Sequence, residues 1–273
     1  MKPHINSTIL KKGIVHKPRK RFGQNFLHDQ SVINRIIEAI NPCLNDRLVE
    51  IGPGQGALTE PLAATGALLD CIELDRDLAK YLRQHYAENS QVTVYEKDGL
   101  KFDFAELAPA RGSLRIVGNL PYNTSTPMLF HLMKYQELIK DMTFMLQLEV
   151  VQRMTAKPGN KNYGRLGLML QYFCEIEHLF NVPSAAFSPK PKVVSALARL
   201  TPHSQFPIVA KDVNCLQIVI RTAFNQRRKT LKNSLKSIVS EETLNKLPLD
   251  GSLRPENLNL RDYVIISDAI SNQ

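Results

Sequence analysis

Residues 47–74 read RLVEIGPGQGALTEPLAATGALLDCIEL, and they show two apolar runs separated by a glycine-rich turn and a helical pattern. The first run, RLVEIG, predicts a short buried strand, and ALLDCIEL predicts a second one. Between them, ALTEPLAAT predicts a helix. This order is that of a βαβ unit, in which glycines at the first turn let the backbone approach a ligand closely.

The same alternation continues along the chain on both sides of this unit. Further strands are predicted at 92–98, 114–122, 142–147, 175–183 and 193–200, and further helices at 29–40, 76–86 and 125–134. Strands that alternate with helices imply right-handed crossovers and a mostly parallel sheet covered on both faces. The predicted fold class is therefore α/β, a Rossmann-like sheet whose last two strands close one edge.

The pattern changes after Thr201-Pro202, where only helical runs follow. These runs are 214–224, 228–239, 241–247 and the stretch around 260–270. Residues 1–20 are rich in Lys and Arg and contain two prolines, which predicts a flexible basic arm. The predicted organisation is thus an arm at 1–20, an α/β domain at 21–202 and a small all-helical domain at 203–273.

Composition narrows the possible functions. The 273 residues are 43% hydrophobic and 22% charged, as in globular proteins, and carry a net charge of +9. This basic excess favours a polyanionic partner, with nucleic acid ahead of an anionic membrane surface. The cysteines are scattered, which predicts reduced thiols, a cytoplasmic location, and neither disulfides nor zinc: Cys43, Cys71, Cys174 and Cys215. No signal-peptide core or membrane-spanning apolar run is found, so no leader or membrane contact is expected.

Polar or glycine residues stand at the ends of four successive predicted strands: Gly52, Glu73, Asp98 and Asn119. In open parallel sheets, ligands bind beyond the carboxyl ends of the strands. A carboxylate at the position of Glu73 typically accepts hydrogen bonds from ribose hydroxyls, and Asp98 has a carboxylate suited to an adenine amine. The glycine spacing fits a nicotinamide dinucleotide as well as another adenosine cofactor, so the turn alone does not choose between them.

The loop Asn119-Leu120-Pro121-Tyr122 supplies groups that can hold an exocyclic amine. The Asn119 side-chain oxygen and the Leu120 carbonyl are two acceptors for the two protons of an adenine N6. Pro121 restricts the backbone, so this carbonyl points one way. Tyr122 offers a ring on which a base stacks. The loop therefore predicts a site that binds an adenine by its amino group.

Five longer segments together resemble the small-subunit ribosomal RNA adenine N6,N6-dimethyltransferases, the kasugamycin-sensitivity methyltransferases. They are FGQNFL (22–27), NLPYNTSTP (119–127), AKPGNKNYGRL (156–166), FSPKPKV (187–193) and AFNQRRKTLKNSL (223–235). The likeness runs from about Arg19 to about Arg261. Two positions depart from the usual family pattern, Gly99 where Ala is more frequent and Thr124 where Ile is common.

The resemblance implies a role for each matching residue. The implied cofactor-binding residues are Asn25, Leu27, Gly52, Gly54, Glu73, Asp98 and Asn119, and the implied catalytic residues are Asn119, Leu120, Pro121, Tyr122 and Phe187. Tyr122 and Phe187 match the two aromatic faces around the target base. The implied methyl donor is S-adenosyl-L-methionine, and no metal is expected.

Basic residues recur near the start of the helical tail: Arg221, Arg227, Arg228, Lys229, Lys232 and Lys236. If 228–239 is one helix, positions 228, 232 and 236 share a face and form a stripe suited to phosphates. The loop 156–165 adds Lys157, Lys161 and Arg165. These residues predict the RNA-binding surface. Together with the resemblance, they imply that 21–202 is the S-adenosylmethionine-dependent methyltransferase domain and that 203–273 is a helical RNA-binding domain.

The resemblance implies dimethylation of two adjacent adenosines in a hairpin loop near the 3′ end of 16S rRNA. The implied partner is that RNA within the small (30S) subunit, and the implied state is a monomer with a role in subunit biogenesis. Three alternatives stay open from the residues: a large-subunit rRNA adenine methyltransferase, a non-catalytic nucleic-acid-binding assembly factor, and a nicotinamide dehydrogenase. The last leaves the NLPY loop and the basic residues unexplained.

Overall fold

The computed structural model of the protein describes residues 24–271. The predicted basic arm, residues 1–20, lies outside the described residues. The described strands are β1 Phe26–Leu27, β2 Arg47–Ile51, β3 Leu68–Glu73, β4 Val92–Glu96, β5 Leu114–Asn119, β6 Ile139–Gln147, β7 Cys174–Val182, β8 Phe187–Ser188 and β9 Ser195–Pro202.

Helices alternate with these strands and then follow them. They are α1 Gln30–Ile40, α2 Thr59–Ala63, α3 Arg76–His85, α4 Ser125–Met133, α5 Leu148–Met154, α6 Arg165–Phe173, α7 Val213–Asn225, α8 Leu231–Leu235, α9 Glu241–Asn245 and α10 Leu260–Ile270. Short 3-10 turns lie at Phe104–Leu107, Gln136–Leu138, Ser184–Ala186 and Pro255–Asn257. Within the described residues, no helix combines the length and the hydrophobicity needed to cross a membrane.

Seven strands form one sheet in the order β4-β3-β2-β5-β6-β9-β7. The strands β2 to β6 pair in parallel, and β9 runs antiparallel to both of its neighbours. A separate antiparallel pair joins β1 to β8, with Leu27 opposite Phe187. The predicted α/β class and the closing of one edge by the last two strands are confirmed.

Apolar side chains cover both faces of the sheet because its strands are buried between helices. One core packs strand residues such as Ile116 and Phe144 against α4, α5 and α6. The other packs residues such as Leu48 and Leu69 against α1 and α2. Because β2 pairs in parallel with both β3 and β5, the carboxyl ends of these three strands lie at one rim of the sheet.

A third core belongs to the helical tail. It joins α6 residues, including Leu168 and Tyr172, to residues of α7 and α10 such as Ile220 and Tyr263. α6 therefore packs on the sheet with one side and on the tail with the other, since Leu166 and Leu170 belong to the sheet core. The boundary at residue 203 stays a prediction.

The predicted single helix over 228–239 is wrong. α8 covers only Leu231–Leu235, and Arg228 lies in the turn before it, whereas Lys236 follows its last residue. Thr230 interrupts the predicted helix because its backbone is extended. Its hydroxyl accepts from the Asn233 backbone N–H, so Thr230 is the N-cap at which α8 begins. Arg228, Lys232 and Lys236 therefore do not share one helical face.

Candidate active site

The carboxyl ends of the central strands surround one cavity of about 300 Å³. Its lining includes most of the residues predicted to hold cofactor and target base: Asn25, Leu27, Gly52, Gly54, Glu73, Asp98, Asn119, Leu120, Pro121 and Tyr122. These residues come from segments separated by up to about a hundred positions in the chain, and the parallel sheet brings them to the same rim. The predicted residue that does not line the cavity is Phe187.

The turn after β2 uses glycines where the backbone needs them. Gly52 has a φ of +69°, and its N–H donates to the Ile72 carbonyl at 2.9 Å. A Cβ built on Gly52 would meet no atom within 4 Å. Gly54, at φ +60°, packs so closely on Phe26 that a Cβ would lie 3.2 Å from its ring. At Gly52, but not at Gly54, the turn therefore leaves free space along the backbone beside the cavity.

Glu73 holds this turn in place. Its Oε2 accepts from the Gly54 N–H at 3.0 Å, and its Oε1 accepts from the Asp75 N–H at 2.8 Å. Burial raises the pKa of the Glu73 carboxyl, and the two backbone hydrogen bonds oppose that rise. Each carboxylate oxygen has a second lone pair, so Glu73 can still accept from a ligand hydroxyl in the cavity.

Glu50 is a cavity residue that the sequence predictions did not include. It is 2% exposed, and its Oε2 accepts from the Thr59 hydroxyl at 2.6 Å. Burial, together with the neighbouring Glu73 charge, raises the pKa of Glu50 to about 7, although the hydrogen bond from Thr59 opposes the rise. Its place two residues before Gly52, inside a buried strand, is the sequence signal that identifies it.

The Asn119 side chain is oriented by its own amide. Its Nδ2 donates to the Asn25 carbonyl at 3.0 Å, which ties β5 to the segment before β1. An amide group has its oxygen and nitrogen fixed in one plane, so anchoring the nitrogen also fixes the oxygen. No donor among the described residues bonds to Asn119 Oδ1, which leaves this acceptor for a ligand.

Two carbonyls of the loop after β5, those of Pro121 and Leu120, differ in whether the protein itself bonds to them. The Pro121 carbonyl accepts from the backbone N–H groups of Thr124 and Ser125, both at 3.0 Å, and so starts α4. The Leu120 N–H donates to the Met145 carbonyl at 3.3 Å. Within the described part of the chain, no donor bonds to the Leu120 carbonyl. The two acceptors predicted for an adenine amine are thus left unused by the described residues.

The Tyr122 ring is held by its hydroxyl, which lies 2.8 Å from the Ser195 Oγ. Ser195 is fully buried at the start of β9, and burial raises the pKa of the Tyr122 phenol. Phe187 is 3% exposed and pairs with Leu27 through β8 and β1. Its partner Leu27 lines the cavity, whereas Phe187 does not. The stacking of Phe187 on a base therefore stays a prediction.

Asp98, which also lines the cavity, caps a turn. Its Oδ1 accepts from the Leu100 N–H at 3.0 Å. Gly99, next to it, faces Met128, whose Cε would lie 2.9 Å from a Cβ built on Gly99. In this chain the Met128 methyl group therefore occupies the space beside Asp98 that an alanine at position 99 would need.

The predicted RNA-binding residues differ in their surroundings. Arg221, Arg228, Lys229 and Lys236 are exposed. Arg227 Nε lies 3.6 Å from Glu256 Oε2, and the Lys232 ammonium forms an ion pair with Glu241. Among the described residues, no cluster of three or more His, Cys, Asp or Glu side chains is arranged to hold a metal ion.

Comparison with known proteins gives a family match over almost the whole chain. Residues 15–270 match the family model described as ribosomal RNA adenine dimethylase. The protein named ribosomal RNA small subunit methyltransferase A of Pseudomonas fluorescens is 54% identical over 258 residues, which cover 94% of this chain and 96% of that protein. The protein of the same name from Hahella chejuensis is 53% identical over 257 residues, 94% of each chain.

Solved structures show the same fold. A dimethyladenosine transferase from Plasmodium falciparum superposes with a TM-score of 0.74 at 24% identity, covering 88% of this chain and 95% of that one. The 23S rRNA methyltransferase ErmE superposes with a TM-score of 0.69 at 24% identity, covering 90% of this chain and 100% of that one. At this level of identity both likenesses establish the architecture.

Proposed function

This chain belongs to the ribosomal RNA adenine dimethylase family, and from that membership we propose that its substrate is a pair of adjacent adenosines in a hairpin loop near the 3′ end of 16S rRNA. It is an enzyme that dimethylates adenine at N6 in small-subunit ribosomal RNA, with S-adenosylmethionine as donor. The observation that carries the proposal is the pair of unused acceptors, Asn119 Oδ1 and the Leu120 carbonyl, on the rim of a ligand-sized cavity.

The cavity fits the donor. The open space beside Gly52 accommodates a ligand against the backbone, and acceptors at Glu73 and Asp98 match the hydroxyl and amine donors of an adenosine. Asn25, Leu27, Gly54 and Asn119 also line the cavity. When bound, S-adenosylmethionine supplies a methyl group on a positively charged sulfur, which is transferred without a metal or a covalent enzyme intermediate.

The loop after β5 prepares the target nitrogen. An adenine N6 is a weak nucleophile because its lone pair is delocalised into the ring. Hydrogen bonds from its two protons to Asn119 Oδ1 and the Leu120 carbonyl favour a pyramidal nitrogen whose lone pair is free. Tyr122 holds the base by stacking, with its ring orientation fixed by Ser195. Alignment of this kind supplies about 7–11 kcal/mol in well-oriented systems.

Reaching this site requires the adenine to leave its stack, which costs least in a loop. The second methylation requires the amine to turn while it keeps its remaining proton bonded to one acceptor. Once alkylated, the nitrogen is acidic and loses its proton to solvent, so the site needs no strong base. We propose that the enzyme acts as a monomer in the cytoplasm on RNA within the small subunit, and that this action contributes to subunit biogenesis.

The test supplies labelled S-adenosylmethionine with protein-free small-subunit RNA, immature small subunits and large-subunit RNA, and maps the modified bases. We expect N6,N6-dimethyladenosine at two adjacent positions in small-subunit RNA alone. Label in large-subunit RNA would favour the large-subunit alternative. Tight RNA binding without label in any of the three substrates would favour a non-catalytic assembly factor.

A further inference from the structure

Two stretches of the chain carry only positive charge. Residues 150–173 and 213–240 contain no Asp or Glu. Their exposed cations are Arg153, Lys157, Lys161 and Arg165 in the first stretch, and Arg221, Arg228, Lys229 and Lys236 in the second. The stretches are far apart in sequence, so their charges act together only if the fold joins them.

The 3-10 turn Pro255–Asn257 and the residue after it join these stretches. The Gly159 N–H donates to the Glu256 carbonyl at 2.7 Å, and the Tyr163 hydroxyl donates to the Leu258 carbonyl at 2.9 Å. Arg227 Nη2, from the second stretch, donates to the Asn160 carbonyl at 3.5 Å. The loop 157–163 is thus fixed from both sides by residues of the helical tail.

Glu256 takes part in both connections. Its backbone carbonyl bonds the loop, and its carboxylate lies 3.6 Å from Arg227 Nε. The Arg227 and Glu256 side chains are 40% and 21% exposed, so the pair is partly shielded from solvent. Arg227 therefore directs its guanidinium towards an acid and a carbonyl of the protein, whereas Arg228, the next residue, is exposed.

We infer that Glu256 is a positioning residue that, through Arg227, holds the loop 157–161 against the turn 226–229 and so forms one cationic surface for RNA phosphates. The phosphate-binding residues of this surface are Lys157, Lys161, Arg165, Arg228 and Lys229. Arg227, predicted from the sequence as an RNA contact, is an internal link of the surface. This inference rests on the proposed RNA substrate.

The helix α5 connects the sheet to this surface. α5 begins directly after Gln147, the last residue of β6, and carries Arg153 before it leads into the loop at Lys157. This helix has seven residues, which at 1.5 Å each span about 10 Å. α5 and the two residues after it therefore connect Lys157 to the end of β6, which lies at the same edge of the sheet as the end of β5.

Simple electrostatics predicts the opposite effect for Glu256. An acid beside a phosphate site repels RNA, so its removal strengthens binding if the acid does nothing else. If Glu256 positions the loop, its removal weakens binding although the protein becomes more positive. The change in RNA affinity caused by Glu256→Gln therefore distinguishes the two roles. Stronger binding indicates simple repulsion, and weaker binding indicates positioning of the loop.

The experiment measures binding of protein-free small-subunit RNA at several salt concentrations, with Glu256→Gln, Arg227→Gln and the double variant. We expect each single variant to bind about threefold more weakly, with an unchanged slope of log K against log salt. The double variant should be no weaker than either one, because both changes break the same link. Lys161→Gln and Arg228→Gln should each reduce the slope by about 0.7–0.9, one phosphate contact.

The matched control is Glu242→Gln. Glu242 is an exposed acid on α9, paired with Lys246, and its removal changes the net charge by the same amount. This variant should not weaken RNA binding. Calorimetric binding of S-adenosylmethionine and the thermal midpoint check that each variant is folded.

Unchanged or tighter RNA binding by Glu256→Gln would overturn the positioning role. A reduced salt slope for Arg227→Gln, equal to that of Arg228→Gln, would make Arg227 a phosphate contact and would also overturn it. If Glu256→Gln fails to fold, the slopes of the exposed Lys161 and Arg228 variants decide, and two unchanged slopes overturn the shared surface. Failure of the proposed function is separate, since then the wild-type protein itself would not methylate small-subunit RNA.

Discussion

At the scale of single residues, the site depends on polar groups that the protein uses only in part. The Asn119 amide nitrogen donates to the Asn25 carbonyl, and the amide oxygen remains available to a ligand. Glu73 bonds two backbone N–H groups and keeps further lone pairs. Because the protein itself fixes each group, little conformational entropy is lost when a ligand binds.

Asn119→Ala tests this use of a side chain. The variant removes both the link to Asn25 and the acceptor for the adenine amine. We expect the rate of methyl transfer at saturating RNA to fall by about a hundredfold or more, as when an oriented polar contact to a reacting group is lost. The measurement is single-turnover transfer from labelled donor, with donor affinity by calorimetry in parallel. Transfer near the wild-type rate would show that the amine is not held there.

The buried carboxyl of Glu50 predicts a pH dependence of stability. Its pKa is raised from 4.5 to about 7 by burial, so the folded state keeps a proton that the unfolded state releases in this window. The Glu50 contribution to stability is therefore complete below pH 4.5 and is lost as the pH rises through about 7. Its loss lowers the free energy of unfolding by at most about 3 kcal/mol.

Glu50→Gln isolates this contribution, because glutamine keeps the shape and cannot ionise. Denaturant unfolding of both proteins across this pH window should show a steeper fall for the wild type than for the variant. Groups that are not coupled to Glu50, such as Cys174, contribute equally to both curves, whereas the curves also differ by the effect of Glu50 on its neighbour Glu73. Parallel curves would mean that Glu50 does not change its protonation state there.

At the scale of elements, boundaries follow local chemistry that periodicity does not report. β5 ends at Asn119, short of the predicted residue 122, because Pro121 has no N–H to continue the strand. α8 begins after the Thr230 N-cap, which divides the predicted helix 228–239. The helices α5 and α6, on either side of the loop 155–164, were not predicted from the sequence. The order of the seven strands of the main sheet and of the helices α1 to α4 was predicted correctly, because it depends on longer apolar patterns.

The contact between β5 and the end of β2 predicts a strict need for glycine at position 118. A Cβ built there would lie 2.5 Å from the Ile51 carbonyl oxygen, an approach that only a backbone shift relieves. We expect Gly118→Ala to lower the free energy of unfolding by about 3 kcal/mol and to weaken donor binding, because Ile51 precedes the glycine turn.

The control for this prediction is Gly164→Ala. Gly164 has an extended φ of 175°, and a Cβ there would lie 3.7 Å from the Phe224 ring, an ordinary contact. It should change the free energy of unfolding by less than about 1 kcal/mol. Equal losses for the two variants, measured by chemical denaturation, would contradict the backbone clash at Gly118.

At the scale of the whole molecule, the helical tail and the sheet are connected through α6. One side of α6 belongs to the sheet core and the other to the core of the tail. A chain ending at residue 202 would expose Leu168, Met169 and Tyr172, which are nearly fully buried in the full protein. We expect such a chain to unfold at a clearly lower temperature than the full protein and to bind apolar dyes.

The measurement is calorimetric unfolding of the full and shortened chains, together with donor binding. Two separate transitions in the full protein, one of them matching the shortened chain, would instead support an independent domain boundary at residue 203. A single transition in the full protein would support one cooperative unit.

By itself, the sequence determined the α/β class, the strand ends that carry Gly52, Glu73, Asp98 and Asn119, and the family resemblance that the comparisons confirm. These features are local, because each rests on a short pattern of apolar, glycine and polar residues. Only the tertiary structure decided that Glu256 pairs with Arg227, that Met128 lies against Gly99, and that Phe187 is outside the cavity lining. Such contacts join residues distant in the chain, and their geometry depends on how the packed elements cross.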